Sequence, residues 1–513
     1  MSISGRTLKN FVLTLITELI GFSANVIIIY ILSHLYSQTE FASYSFSFTF
    51  ISFFMIMANF GLGSTIIQSV AAKKDQDKEG VQKLVTEGFK LIFIFSAIAS
   101  LILFIISNFV NSIYNIPDLG IALSFASIYL FFSNLILHFE NVFLGVWKYE
   151  YYALSKIIFN TLKLMIILLN FIIRLPIPTI LALYALLSMI HFLIFFIIVI
   201  KLKYIKKMFS FDFKFIQRIL KVSVFMFLPG VFLYIINNFN QFVLAFVITP
   251  SEFAVYSITL TIIQIVSLPI MILSNLVFPY VSYYMLKKEE GGKNVQSIFN
   301  LTFYYGLLIM IPVTIFIFMF SDQIVISIFG MAYYNASIYV KVFIFYLNFK
   351  MIDILGGHFL WAANKPKLVV KLYGITALFT VILSVILIPL FFTYGAILAI
   401  IIPHIAYIII TLNKVKKMNN IQFYSRMSLS LIKFLFSSIL SGFCSLFFIA
   451  YFNIHNYSLY NLALLTVFYF GITSLFLLLT KAIQFNQIKE LIKIVRESLR
   501  VSNKDPNLFY SDN

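Results

Sequence analysis

The sequence predicts an all-α polytopic membrane protein of about fourteen transmembrane helices, arranged as two pseudo-symmetric six-helix lobes followed by two C-terminal helices. Three observations carry this. The 513-residue chain is 61% hydrophobic and only 11% charged, whereas a soluble protein carries about 25% charged residues. Its apolar residues fall in blocks of about 20, the length a helix needs to cross a bilayer. The first half of the chain also repeats itself in the second.

Read in order, the blocks place spans 1–8 near 11–32, 41–62, 89–107, 119–139, 153–173, 178–200, 222–247 and 253–281. Spans 9–14 follow near 298–320, 337–360, 368–388, 394–412, 430–452 and 458–480. The first block is too long for a cleaved signal and lacks a small-residue cleavage site, so it is expected to remain as span 1. Pro229-Gly230 falls midway through span 7 and predicts a kink or break there. The expected division is an N-lobe over 1–205, a C-lobe over 206–418, the last two spans within 419–481, and a tail over 482–513. In that tail Ile488, Leu491, Ile492, Val495 and Leu499 recur at helical spacing, with Lys489, Lys493, Arg496 and Arg500 between them. An amphipathic helix on the cytoplasmic membrane face is expected.

Basic residues give the orientation. Of 37 Lys and Arg, all but Lys163, Arg174, Lys341 and Lys350 (37 − 4 = 33) fall at the N-terminus, in alternate gaps between spans or within the span ends that border those gaps, or in the tail. Basic loops stay cytoplasmic, so both termini are expected in the cytoplasm of a multi-pass protein of the inner, or cytoplasmic, cell membrane. The formal charge of +18 then reads as topology and attraction to anionic lipid, not as a nucleic-acid footprint. The single cysteine, Cys444, lies inside span 13 and allows no intrachain disulfide.

The repeat has an offset of 212 residues (218 − 6). Arg6-Thr-Leu-Lys9 meets Arg218-Ile-Leu-Lys221, Asn25 meets Asn237, and Thr49 meets Thr261. Glu40-Phe-Ala-Ser-Tyr-Ser45 meets Glu252-Phe-Ala-Val-Tyr-Ser257. After a two-residue insertion, Lys73-Lys74-Asp75 aligns with Lys287-Lys288-Glu289 and Val81-Gln82 with Val295-Gln296. Six spans separate the copies, so both enter the membrane in the same direction, as in transporters built from parallel halves.

Charges are costly in hydrocarbon, about 2.5–3.5 kcal/mol each on insertion scales, so Glu18, Lys163, Lys350 and Asp353 each invite a functional reading. They are candidates to line a polar cavity between the lobes, where the lysines would attract an anionic headgroup. For Lys350 and Asp353, three apart on one helix, a structural ion pair is the competing reading; for Lys163 it is snorkelling toward the interface. Asn25, Asn237, Asn240 and Gln241, with Asn238, make spans 1 and 7 polar along part of one side. Those amides either hold sugar hydroxyls or bond helix to helix. His138, His191 and His404 stand singly on apolar spans, without metal-site spacing, and are expected to pack with hydrogen bonds. No cofactor or metal is expected.

These features resemble the polysaccharide (O-antigen, or lipid-linked oligosaccharide) flippases of the multidrug/oligosaccharidyl-lipid/polysaccharide exporter superfamily. The carriers are the Glu40–Ser45 segment running on to Asn59-Phe-Gly-Leu-Gly63, and the basic turn at Lys73-Lys74. In the second half they are Pro229, the Glu252–Ser257 segment and Phe278-Pro-Tyr-Val-Ser282. Many relatives carry Asp-Arg late in span 7, where this chain has Asn240-Gln241, so a gate built on those charges lacks them here. The resemblance implies alternating access. A polyprenyl-diphosphate-linked oligosaccharide would pass from the cytoplasmic to the outer leaflet, its headgroup in the polar cavity and its tail in the bilayer. Implied partners are that glycan, the bilayer, a proton or sodium ion if transport is coupled, and other membrane proteins of polysaccharide assembly. A cation-coupled multidrug antiporter of the same superfamily is the alternative. A membrane glycan polymerase or transferase ranks last, because the outward connections 108–118 and 321–336 carry one Asp each and no Arg or His. The protein is therefore expected to be no enzyme.

Overall fold

Inside a bilayer, backbone N–H and C=O groups must pair within their own segment, so apolar runs of this length fold as helices. The computed structural model describes residues 3–205, 212–286, 291–362, 365–419, 427–452 and 457–482, and among these the regular elements are helical. The α-helices are α1 (Ile3–Leu35), α2 (Gln38–Asn59), α3 (Leu62–Lys73), α4 (Lys78–Ile113), α5 (Leu119–Gly145), α6 (Tyr149–Leu168), α7 (Ile177–Lys201) and α8 (Phe213–Val247). They continue as α9 (Pro250–Leu286), α10 (Gly291–Phe329), α11 (Asn335–Phe343), α12 (Tyr346–Ala362), α13 (Pro366–Asn419), α14 (Met427–Tyr451) and α15 (Leu459–Leu479). The tail helix expected over 483–499 and the Lys287-Lys288-Glu289 turn lie outside the described residues.

Among the described residues, 12 helices are long and apolar enough to cross a membrane. One of them, α13, is 54 residues long, roughly 81 Å at 1.5 Å per residue and more than two bilayer cores of about 30 Å. Phe392 leaves the helical region (φ 51°, ψ −125°) and divides it into two crossings. The 9-residue α11 and the 17-residue α12 make one further crossing in two pieces. Twelve, plus one, plus one gives fourteen. Many large apolar side chains are exposed, among them Phe109, Ile172, Phe447 and Val467, as a surface solvated by lipid tails requires.

The structure departs from the expected spans in three places. Span 10 is broken between α11 and α12. Helical backbone runs unbroken through Pro229 in α8; a proline removes one donor, and the rest of the helix continues around it. Third, span 2 ends early and is followed by the separate helix α3. Phe60 (φ 45°) and Gly61 (φ 73°) take consecutive left-handed conformations and turn the chain. A Cβ on Gly61 would stand 2.2 Å from the Ser223 carbonyl oxygen and 2.7 Å from the Phe227 nitrogen of α8. Both neighbours are backbone and cannot yield. Gly61→Ala should therefore lower stability by about 1–3 kcal/mol or more, read as a fall in melting temperature of the detergent-solubilised protein; unchanged melting would contradict the close approach.

Two compact units are present, Met1–Ala254 and Val255–Pro506. In the first, Phe89, Phe139 and Phe192 stack within the core of α4, α5 and α7. Here α8 packs on α2: Thr49 Oγ1 donates to Gln241 Oε1 at 2.8 Å, and the Tyr234 hydroxyl to the Thr49 carbonyl at 2.7 Å. At the opposite end of α8, Lys83 of α4 meets Asp212 at 2.6 Å. Asp212 also caps α8 through the Phe215 N–H, and Asp77 caps α4 through the Gly80 N–H. Lys83 chiefly holds the Asp212 carboxyl below its usual range, and the Gly80 N–H chiefly does so for Asp77. Such stabilisation is present above the unfolded-state pKa and is lost as pH falls through the folded one.

The repeat has a structural meaning at its best-matched string. Ser37 and Glu40 form a capping box at the start of α2. Thr249 and Glu252, 212 residues on, make the same reciprocal bonds at the start of α9. Behind each box Phe41 and Phe253 are 1% exposed, and Ala42 and Ala254 are fully buried. The shared acid therefore starts a helix, and the residues after it fix the helix in its unit.

Candidate functional site

Each unit contains a polar interior at the depth of its membrane-spanning helices. In the first unit, the hydrogen-bond and ion-pair chain links α1, α5, α6 and α7. Ser155 of α6 donates to Glu140 Oε1 of α5 at 2.7 Å, and the His191 ring nitrogen Nε2 of α7 lies 3.1 Å from the same hydroxyl. Since Ser155 gives its proton to the carboxylate, it accepts one from His191. Lys156 Nζ stands 3.6 Å from Glu140 Oε2. The Tyr152 hydroxyl, one turn earlier on α6, donates to Glu18 Oε1 of α1. Glu140, Ser155 and His191 are buried, while Glu18 is exposed on α1. Two carboxylates thus flank one lysine.

Lys163 lies two turns further along α6 and is 5% exposed. Its ammonium stands 5.0 Å from the ring centre of Tyr184, 5.2 Å from Phe48, 5.7 Å from Tyr129 and 5.9 Å from Phe159. Rings from α2, α5, α6 and α7 surround the cation, an arrangement worth about 2 kcal/mol when desolvated. This side chain is inside the first unit.

The amides divide by level. Asn25 is exposed and donates to the Gly21 carbonyl at 3.0 Å; its repeat partner Asn237, partly exposed, donates to the Leu233 carbonyl at 2.6 Å. Both return a bond to their own helix four residues back. Asn240 is fully buried and Gln241 is 8% exposed. Gln241 bridges, accepting from Thr49 and donating to Asn238 Oδ1 at 3.0 Å.

In the second unit, Asp353 of α12 is 5% exposed, and its Oδ1 has no hydrogen-bond partner among the described residues. Its Oδ2 lies 3.7 Å from His404 Nε2 of α13. That ring sits 2.9 Å from the Tyr346 hydroxyl and, through Nδ1, 2.9 Å from the Ile400 carbonyl. A carbonyl accepts only, so Nδ1 carries the proton of that bond, and Nε2 faces both Tyr346 and Asp353. Lys350 is partly exposed. Its amine makes no ion pair with Asp353 within 4.0 Å among the described residues, so the two charges attract each other at longer range. Positions three apart on a helix share a face but differ by about 60° in azimuth, and Asp353 turns to α13. Toward the helix ends, Lys341 of α11 pairs with Asp322 of α10 at 2.9 Å.

Glu140, Tyr152, Ser155 and Lys156 are not among the candidates named from the sequence. Positions 152, 155 and 156 at i, i+3 and i+4 share one face of α6, a signal legible in the sequence.

A family model described as "Polysaccharide biosynthesis protein" matches residues 31–338, more than half of the chain. The chain belongs to the polysaccharide biosynthesis protein family. That match runs from within α1 to within α11 and so includes the polar interior of the first unit except Glu18 and Asn25. Within curated proteins, the family member is 27% identical over 152 residues to the probable low-salt glycan biosynthesis flippase Agl15 of Haloferax volcanii. The match spans 30% of this chain and 32% of that relative. Among solved structures, the fold is similar to that of lipid II flippase MurJ in an inward closed conformation, with a TM-score of 0.68 and 16% identity. That likeness covers 92% of this chain and 99% of the other. It is also similar to an inward-facing multidrug resistance MATE family transporter of the MOP superfamily (TM-score 0.62, 18% identity, covering 80% of this chain and 95% of that one).

Proposed function

We propose that this protein flips a polyprenyl-diphosphate-linked oligosaccharide, the repeat unit of a polysaccharide, from the cytoplasmic to the outer leaflet of the cell membrane. Membership of the polysaccharide biosynthesis protein family carries the reading. A fold shared along nearly its whole length with a lipid II flippase supports it. Transport proceeds by alternating access, while the lipid tail stays in the bilayer. Lys350, partly exposed and not ion-paired to Asp353, supplies positive charge for the diphosphate. The exposed amide of Asn25 and the partly exposed one of Asn237 offer groups for sugar hydroxyls. The one-sided distribution of 33 basic residues (37 − 4) supports an inner-membrane protein with both termini in the cytoplasm. Other membrane proteins of polysaccharide assembly supply and consume the glycan.

A related cation antiporter is the second reading. It draws on the buried carboxylates of Glu140 and Asp353 and on the fold shared with a multidrug transporter. The two separate in cells lacking the protein. A flippase deficit should accumulate lipid-linked glycan in the cytoplasmic leaflet and leave sensitivity to organic cations unchanged. Cation sensitivity without glycan accumulation would replace the flippase by the antiporter.

A further inference from the structure

Beside the turn that joins α2 to α3 lies a cavity of about 360 Å³, whose lining includes Met55, Asn59, Gly63, Asn141, Met226 and Phe227. All of it belongs to the first unit. Its polar groups are neutral. The carboxamides of Asn59 and Asn141 converge over Gly63: a Cβ there would stand 2.7 Å from the Asn141 amide nitrogen and 3.3 Å from the Asn59 amide. The missing side chain at Gly63 leaves the room that the two amides share. Asn59 Oδ1 accepts the Gly63 N–H at 3.1 Å, which fixes that amide in place. Asn141 is only 8% exposed, and among the described residues nothing hydrogen-bonds its carboxamide. Its carboxamide is reached from the cavity and spends no bond on the protein, so it is free to bond a ligand there.

The opposite wall is apolar. Phe227 of α8 stacks on Phe60, ring centres 4.5 Å apart, with Met226 beside it, and a Cβ on Gly230 would meet nothing within 4 Å. No lining residue is charged. A diphosphate would find no cation here, and a purely apolar ligand would waste two carboxamides. A sugar ring fits both walls: its hydroxyls can donate to and accept from amides, and its C–H face can rest on an aromatic and methionine surface. The volume lies near the low end of the roughly 300–1,000 Å³ of small-ligand sites, room for a terminal sugar and not for a whole oligosaccharide.

We infer that this cavity is a subsite for one neutral sugar ring of the transported glycan, held by Asn59 and Asn141 on the Lys73-Lys74 side of the membrane. The glycan's origin rests on the flippase reading; the sugar-binding chemistry does not.

The test uses Ser64→Cys in a Cys444→Ser background, because Ser64 lines the cavity, is exposed, and leaves both amides intact. The purified full-length protein is labelled with a small maleimide in the presence of neutral methyl hexosides, N-acetylhexosamines or inorganic pyrophosphate. At ten times its dissociation constant, a bound sugar slows labelling about 10-fold by occupancy alone. The expected result is protection by at least one neutral sugar, none by pyrophosphate, and loss of protection when Asn141→Ala is added. Protection by pyrophosphate alone would overturn the assignment, as would protection by none of the sugars or protection that survives Asn141→Ala. In cells, Asn141→Ala should reduce glycan translocation at normal membrane abundance, since the amide has no protein bond to lose. Wild-type protein that moves lipid-linked glycan with an unprotected cavity removes the subsite and keeps the flippase. Sugar protection in a protein that moves no such glycan does the reverse.

Discussion

Glu140→Ala should destabilise this protein by about 3 kcal/mol, the low end of the cost of breaking a buried ion pair. Glu140 is almost fully buried, and it accepts from Ser155 while facing Lys156 at 3.6 Å. Alanine leaves the lysine without its counter-charge and the hydroxyl without its acceptor. Lys156 keeps 32% of its side chain exposed, so water recovers part of the loss, hence the low end. A lower melting temperature in detergent and a lower amount in the membrane should both be seen. Glu140→Gln should lose less, because its carbonyl oxygen still accepts from Ser155. Combining it with Lys156→Gln should recover most of the remainder. Wild-type melting of Glu140→Ala would show that the Glu140–Ser155 and Glu140–Lys156 links contribute nothing to stability.

The second large effect is on transport. Lys350→Ala should reduce glycan translocation roughly 10-fold, about 1.4 kcal/mol, with membrane abundance near normal. The lysine is partly exposed and makes no ion pair with Asp353 within 4.0 Å among the described residues, so its removal breaks no short contact, though Asp353 loses the favourable charge of Lys350. Lys350→Arg should keep part of the activity, since the charge survives while its geometry changes. A fall in abundance that Asp353→Ala restores in the double variant would reveal a structural pair instead. Full transport by Lys350→Ala would remove this lysine from the substrate path. Lys163 is a different case: enclosed by four rings and 5% exposed, it reaches a headgroup only if the first unit opens.

The spans were legible because a bilayer imposes length and composition on every crossing, and the sequence has to meet both without help from its neighbours. The offset of 212 was legible for a local reason too. Glu40 and Glu252 each start a helix through a capping box, so the constraint acts within a few residues. What stayed hidden depends on distant packing. In the run from Gln38 to Lys73 only Asn59-Phe-Gly-Leu-Gly63 hints at a turn, and the need for glycine at Gly61 arises in part from α8, more than 160 residues away (223 − 61 = 162). Glu140, Ser155 and His191 meet only because α5, α6 and α7 pack together. Asp353 has a neighbour the sequence did not show for the same reason: its own helix offers Lys350, and α13 brings His404.

Reconstitution tests the flippase reading most directly. Purified protein is placed in vesicles carrying a polyprenyl-diphosphate-linked oligosaccharide in both leaflets, and a membrane-impermeant glycan-modifying reagent is added outside. The accessible share should rise from the outer-leaflet fraction toward completion, faster with protein than without, and Lys350→Ala should slow the rise. If well-folded protein leaves that share at the outer-leaflet fraction while moving an organic cation across the same vesicles, the protein is an antiporter and not a glycan flippase.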